Sequence, residues 1–182
     1  MRIKSIKVDN FKSLVNFDLP LAKFSCLVGL NGSGKSTILQ FLDFLAQQVK
    51  GDLSGWLKKR QWEPSDLNSR LTNKRNIGFE ILLVLDNNVE IKWSASFNRQ
   101  TLHCTTEHVK WNDTTILKVE DGDYQIRSLS HVGEMSSELQ KKYKKNGLVF
   151  EIEIQSGWSE KIAFDYQGSL LSVIKESQLT QE

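Results

Sequence analysis

One turn constrains this chain more than any other feature: Gly29-Leu30-Asn31-Gly32-Ser33-Gly34-Lys35-Ser36-Thr37. It matches G-x-x-x-x-G-K-[ST] in full, follows a short apolar run at 24–28 and opens into an apolar, helix-periodic stretch. Each residue type there has a physical reason. Glycines at 29, 32 and 34 admit backbone angles that turn successive N–H groups toward one point, making a nest for an anion. The helix start adds its positive dipole end. Lys35 brings a mobile point charge suited to β- and γ-phosphates. Ser36 brings a hydroxyl suited to Mg²⁺, an ion that keeps several waters and phosphate oxygens around it. Asn31, Gly32, Ser33, Gly34, Lys35, Ser36 and Thr37 are therefore the expected contacts of a nucleoside triphosphate, with Ser36 on its magnesium.

The surrounding pattern predicts an α/β opening followed by an antiparallel meander. Strands are expected at 3–8 and 14–19, the second stopped by Pro20, and at 24–28, short and apolar as a strand buried on both faces should be. A helix is expected over 36–49. Its polar residues Gln40, Asp43 and Gln47 form one narrow stripe, so it should be packed on most sides, with Gly51 as its C-cap. Residues 52–76 read as a polar connection with one short helix. The period then changes to two: Phe79, Ile81, Leu83 and Leu85 alternate, Asp86-Asn87-Asn88 turns, and Val89, Ile91, Trp93, Ala95 and Phe97 alternate back. Further strands are expected at 102–111, 115–119, 124–129, 148–154 and 158–164. A polar helix at 137–145 and the start of another at 169–178 complete the reading. The organisation is a single lobe: 1–50 with the phosphate loop, 51–76 connecting, 77–166 an antiparallel β subdomain, and 167–182 a turn entering a helix.

Composition narrows the classes. The chain has 182 residues, 39% of them hydrophobic, which suffices for a sizeable core and excludes wholesale disorder. Lys and Arg number 24 against 22 Asp and Glu, a net charge of +2, too balanced to announce nucleic acid by bulk charge. No run approaches the roughly 18 apolar residues of a membrane span. MRIKSIKVDN lacks a secretory core, and Cys26 and Cys104 do not make a disulfide framework. A cytoplasmic protein without membrane contact is expected.

Where the acid that orients Mg²⁺ lies is open at this stage. Ile81-Leu82-Leu83-Val84-Leu85-Asp86 has the form of an apolar strand ending in a carboxylate, which would make the chain a self-contained kinase or GTPase. The mirrored alternation beyond Asn87-Asn88 favours a hairpin turn instead.

The opening IKVDNFKSL followed by FSCLVGLNGSGKSTIL resembles the start of SMC/RecF-type ABC ATPases, whose relatives include double-strand-break-repair, overcoming-lysogenization and anti-phage defence ATPases. Asn10-Phe11-Lys12-Ser13 and residues 29–36 fit that family in order and spacing. The resemblance is strong over 1–50 and looser over 77–180. It implies an ATP- and Mg²⁺-binding N-terminal lobe of a P-loop head, with an antiparallel β subdomain. It implies that Lys12, otherwise a turn lysine, lies near the nucleotide phosphates. It also implies that Gln167, otherwise a turn glutamine in FDYQGSLLSVIKE, approaches Mg²⁺ like a Q-loop residue. A signature loop, a Walker B with D-E and a switch His belong to such heads and do not occur in this sequence. Leu129-Ser130-His131-Val132-Gly133-Glu134 carries one residue too many to be the signature. The resemblance therefore implies a partner: a C-terminal ATPase half or a second head joined on ATP, with DNA as a further partner, and little hydrolysis by this lobe alone; the other alternative is a truncated regulatory or interaction module whose interface is set by nucleotide.

The remaining constellations are weaker. His103, Cys104, His108 and His131 have no metal-ligand spacing, and Cys104 reads as a small apolar strand residue. Lys58-Lys59-Arg60 and Lys141-Lys142-Tyr143-Lys144-Lys145 read as solvated faces, with DNA contact requiring that they share one side. Trp56 and Trp62, in the polar connection, are the tryptophans best placed for an interface.

Overall fold

The computed structural model describes residues 1–86, 88–120, 123–126, 160–161 and 166–172. Their strands form one antiparallel sheet in the order β2-β1-β3-β4-β5-β6-β7-β8. The strands are β1 (Arg2–Asp9), β2 (Phe17–Pro20), β3 (Asn76–Val84), β4 (Glu90–Asn98), β5 (His103–Trp111), β6 (Thr114–Glu120), β7 (Asp123–Ile126) and β8 (Glu160–Lys161). From β3 to β7 each strand pairs with the next, as alternating sequence with short connections dictates, and β8 pairs with β7. The predicted hairpin is present, with Phe79 opposite Ala95 and Ile81 opposite Trp93. The expected strands at 148–154 and helix at 137–145 lie outside the described residues, as does most of 158–164 and of 169–178.

Helix α1 (Lys35–Lys50) crosses the inner face of this sheet and ends at Gly51, whose φ of 80° is the left-handed C-cap the sequence implied. It buries Ile38, Phe41, Phe44, Leu45 and Gln48, a spacing of three and four that puts them on one face. Phe41 and Phe44 meet Phe11 at ring-centroid distances of 5.2 and 5.3 Å, and Phe44 meets Phe97 edge-on at 5.1 Å. These aromatic contacts, with Ile6, Val8, Ile77 and Phe79, join strand, turn and helix into one core. The polar connection contains α2 (Leu53–Arg60), capped by the Asp52 carboxylate on the Gly55 N–H, and a short 3₁₀ turn, Pro64–Leu67.

Two expectations about the opening fail together. Residues 24–28 form no strand; Phe24 and Val28 are 85% and 88% exposed, against the expected burial on both faces. A strand needs a ladder partner, and β2, the sheet's edge, pairs only with β1. Among the described residues α1 likewise packs on one side, leaving Leu39 63% exposed. The apolar content of 24–30 and of the outer side of α1 is thus unspent within the described residues.

Candidate functional site

The glycine turn runs directly into α1. Gly32 and Gly34 adopt φ of 82° and 90°, the left-handed region that glycine alone enters without strain. No side chain caps α1 and its first turn carries no acid. Its terminal N–H groups and positive dipole end are therefore available to an external anion. The Lys35 ammonium curls over the loop, donating to the carbonyls of Gly29 and Leu30 at 2.8 Å each and to Ser33 Oγ at 3.4 Å. These are exposed, neutral acceptors, weaker partners than phosphate oxygens. Ser36 presents its hydroxyl to solvent from the same first turn.

The turn between β1 and β2 buttresses the loop. Asn10, buried at φ 65°, spends its whole side chain on backbone and hydroxyl partners. Its Nδ2 donates to the carbonyls of Lys74 and Asn76, and its Oδ1 accepts from the Ser69 N–H and the Thr72 hydroxyl. Phe11 fills the core beneath α1. Ser13 then touches the site itself: its Oγ bonds Thr37 Oγ1 at 3.1 Å, and a Cβ on Gly34 would lie 3.3 Å from it. The sequence singled out Asn10-Phe11-Lys12-Ser13 only by resemblance. The Ser13 contact was not legible, because nothing local says that a turn at 13 lies against a helix start at 37. Gly34→Ala faces both a left-handed φ and the Ser13 contact. We expect it to lower stability by roughly 1–2 kcal/mol and Mg-ATP affinity about tenfold, read by thermal melting and calorimetric titration.

The other predicted site residues fall differently. Lys12, at φ 47° with its N–H on the Leu67 carbonyl, sits one residue from Ser13 but lays its ammonium over Trp62, 3.2 Å from the ring centroid. Burial pulls its pKa below the ordinary lysine value, against the attraction of Asp66 and with the repulsion of Arg60. Gln167 is held elsewhere: its Oε1 accepts from the Ser54 N–H and its Nε2 donates to Ser54 Oγ, at the start of α2. The adjacent Gly168 packs on the backbone of Gln48. Gln48 follows Lys35 by thirteen residues of α1, about 20 Å at 1.5 Å per residue. In this arrangement Gln167 stands at the opposite end of α1 from Ser36, because a capping role at α2 satisfies its amide. The expectation that Gln167 meets Mg²⁺ beside Ser36 therefore requires a different position of this turn.

Asp86 is a hairpin residue. Its carboxylate, 97% exposed, bonds the amino group of Met1 at 2.8 Å. Met1 precedes β1 and Ser13 follows it, so the eight residues of that strand put roughly 26 Å between Asp86 and the buttress of the loop. The self-contained kinase or GTPase reading needs Asp86 on a central parallel strand beside the loop, and β3 is antiparallel on both sides. Of the two tryptophans offered as interface candidates, Trp56 is core: it is 7% exposed, packs on Phe44, and its Nε1 donates to Asp43. Trp62 is half-buried against Trp56 and Lys12. Cys104 is core, as read, and Lys58 and Lys59 are exposed on the last turn of α2. Lys141 to Lys145 and the 129–134 stretch lie outside the described residues.

These features fit a nucleoside triphosphate: an uncapped helix start, a positive-φ glycine nest, one lysine held over neutral carbonyls and one exposed hydroxyl for Mg²⁺. A magnesium ion held here would have the Ser36 hydroxyl, phosphate oxygens and waters as its ligands. Lysine, glycine nest and helix start define the class: a nucleoside-triphosphate-binding lobe built on a phosphate-binding loop. More narrowly, residues 1–178 match the AAA ATPase domain family, and the chain belongs to it. An OLD nuclease of Thermus scotoductus (strain ATCC 700910 / SA-01) is 43% identical over 47 residues, covering 26% of this chain and 9% of that protein. The chain thus spans a small fraction of that relative's length. A structure solved in work on ATP-driven dimerization and DNA-stimulated activation of SMC ATPases overlaps 63% of this chain and 72% of its own, at 24% identity and a TM-score of 0.44. No helix among the described residues is long and apolar enough to cross a membrane.

Proposed function

We propose that this chain is the ATP-binding N-terminal lobe of an SMC/RecF-like head, serving DNA repair or phage defence, and that its hydrolytic site is completed by a C-terminal ATPase half or a second head. The observation that carries this reading is the uncapped start of α1 behind Gly34, with Lys35 folded over the loop and Ser36 beside it. Bound there, Mg-ATP would rest its phosphates on the N–H groups of residues 31–37 and on Lys35, with the Ser36 hydroxyl toward the ion. Magnesium would supply charge neutralisation across the phosphates. What the protein adds is a fixed, positively polarised seat that needs no rearrangement when charge develops.

Completion by a partner is supported by the surface around that seat. Phe24, Val28 and Leu30 are each at least 85% exposed, and Leu39 adds a fourth apolar group on the outer side of α1. Large apolar side chains left exposed in and around a nucleotide loop fit a contact with further protein. DNA would act on the assembled head, with Lys58 and Lys59 as exposed charges of this lobe.

The lobe alone is expected to bind Mg-ATP and to turn it over at least a hundredfold more slowly than the roughly 1 s⁻¹ at the slow end of ordinary enzymes. A coupled phosphate-release assay measures this directly. Ordinary ATPase rates from the purified lobe would sink the proposal that the hydrolytic residues lie elsewhere.

A further inference from the structure

The contact between Lys12 and Trp62 is unexplained by a nucleotide seat alone. An ammonium has three donors, and here it faces an indole at 3.2 Å. Asp66 attracts it from a distance, and among the described residues no carboxylate pairs with it. The same ring carries a second cation: the Arg60 guanidinium lies 4.9 Å from its centroid, already paired with Asp43, and repels Lys12. Two cations thus share one indole, and of the two it is Arg60 that is ion-paired. The left-handed backbone of Lys12, pinned by the Leu67 carbonyl, makes this a directed contact rather than a stray surface rotamer. It also sits one residue from Ser13, which touches both Gly34 and Thr37. Trp62, in turn, is tied to α2 through its N–H on the Leu57 carbonyl.

We propose that Trp62 is a docking face for Lys12, and that nucleotide binding moves the Lys12 ammonium from the indole to the phosphate oxygens, so that occupancy of the loop is reported to α2. This rests on the nucleotide reading above and deepens it. The exchange has a favoured direction. A half-exposed cation–π contact is worth less than a charge-assisted hydrogen bond to phosphate, so Lys12 leaves Trp62 when phosphate is present and returns when it departs. Trp62 is then a positioning residue: it makes no contact with nucleotide but sets what Lys12 must give up to reach it.

The chain is titrated with Mg-ATP by calorimetry, in parallel with tryptophan emission of the wild type minus that of Trp62→Phe. The difference emission, which isolates Trp62 from the other four tryptophans, should change along the same isotherm as the heat. Trp62→Leu, which stays apolar but is smaller and offers no ring face, should tighten Mg-ATP about fivefold, and Trp62→Phe should do so less. That gain should vanish in a Lys12→Ala background, because the cost being removed is that of undocking Lys12. A Trp62 that merely supports the fold would weaken binding equally with either residue at 12. If Mg-ATP binds and Lys35→Ala abolishes it, yet the difference emission stays flat and positions 12 and 62 do not couple, the docking proposal is overturned and the nucleotide seat survives. If the wild type binds no Mg-ATP at all, both fall.

Discussion

Lys35→Ala is expected to weaken Mg-ATP binding by about a hundredfold or more, with the fold intact. A charge-assisted hydrogen bond contributes roughly 1.5–3 kcal/mol, and a lysine bridging two phosphate groups makes at least two, so a hundredfold loss (about 2.7 kcal/mol) is the conservative figure. Stability should hardly change, because the bonds Lys35 makes within the protein are exposed contacts to the Gly29 and Leu30 carbonyls, which water replaces readily. A loss below about 1 kcal/mol corresponds to a melting shift of no more than roughly 2–4 °C for a chain this long. Lys35→Arg should fall between, about tenfold weaker, since the charge remains but a planar fork does not fit a nest sized for an ammonium. Calorimetric titration and a thermal melt on the three proteins check all of this. An unchanged Kd for Lys35→Ala would remove the loop from nucleotide binding altogether.

How far the sequence carried this picture depends on the range of the interactions. The glycine turn, α1 and the hairpin around Asp86 were legible because each is written in a local period or a local backbone requirement. The strand expected at 24–28 shows the converse. Its composition is that of a buried strand, but a strand is a property of a pair, and composition does not say where the neighbour is. The same holds for α1, whose apolar circumference predicted packing on most sides while the described residues cover one face. Both departures concern apolar residues next to the nucleotide seat, Phe24, Val28, Leu30 and Leu39, that the described residues leave exposed. The site's supports were legible only where a residue announces itself alone. Lys12 and Gln167 entered by resemblance, and their contacts with Trp62 and Ser54 join positions 50 and 113 residues apart.

Glu107 was missed for a subtler reason, and it carries the largest expected effect on stability. Strict alternation along β5 from Cys104 would turn residue 107 outward, but the register slips between Ser96 and Phe97, so that Thr105 is an extra residue. The bulge flips the parity and sends the Glu107 carboxylate into the core, fully buried. There it accepts from Trp93 Nε1 at 2.7 Å, from the Leu170 N–H at 2.9 Å and from the Ser169 hydroxyl. It thus ties the turn after Gln167 to the sheet. Glu107→Ala leaves three buried donors without an acceptor and a void behind them, so we expect a loss of about 4 kcal/mol. Glu107→Gln keeps the shape and one acceptor oxygen, enough for the two bonds that Oε1 takes from Trp93 and Ser169, and should cost roughly 1–2 kcal/mol. The two differ in pH dependence as well as in size. Burial raises the carboxyl pKa above the ordinary 4.5, outweighing the three hydrogen bonds that lower it. The folded protein therefore holds a proton that the unfolded chain has released, from pH 4.5 up to the raised folded value. Stability from this group is complete below that window and is lost as pH rises through it, with a slope of at most about 1.4 kcal/mol per pH unit. Urea unfolding at half-unit steps from pH 4 to 8 should show this decline in the wild type and its absence in Glu107→Gln. An identical slope in both proteins would mean that Glu107 is ionised in the fold throughout, and that its three donors, rather than its burial, set its charge.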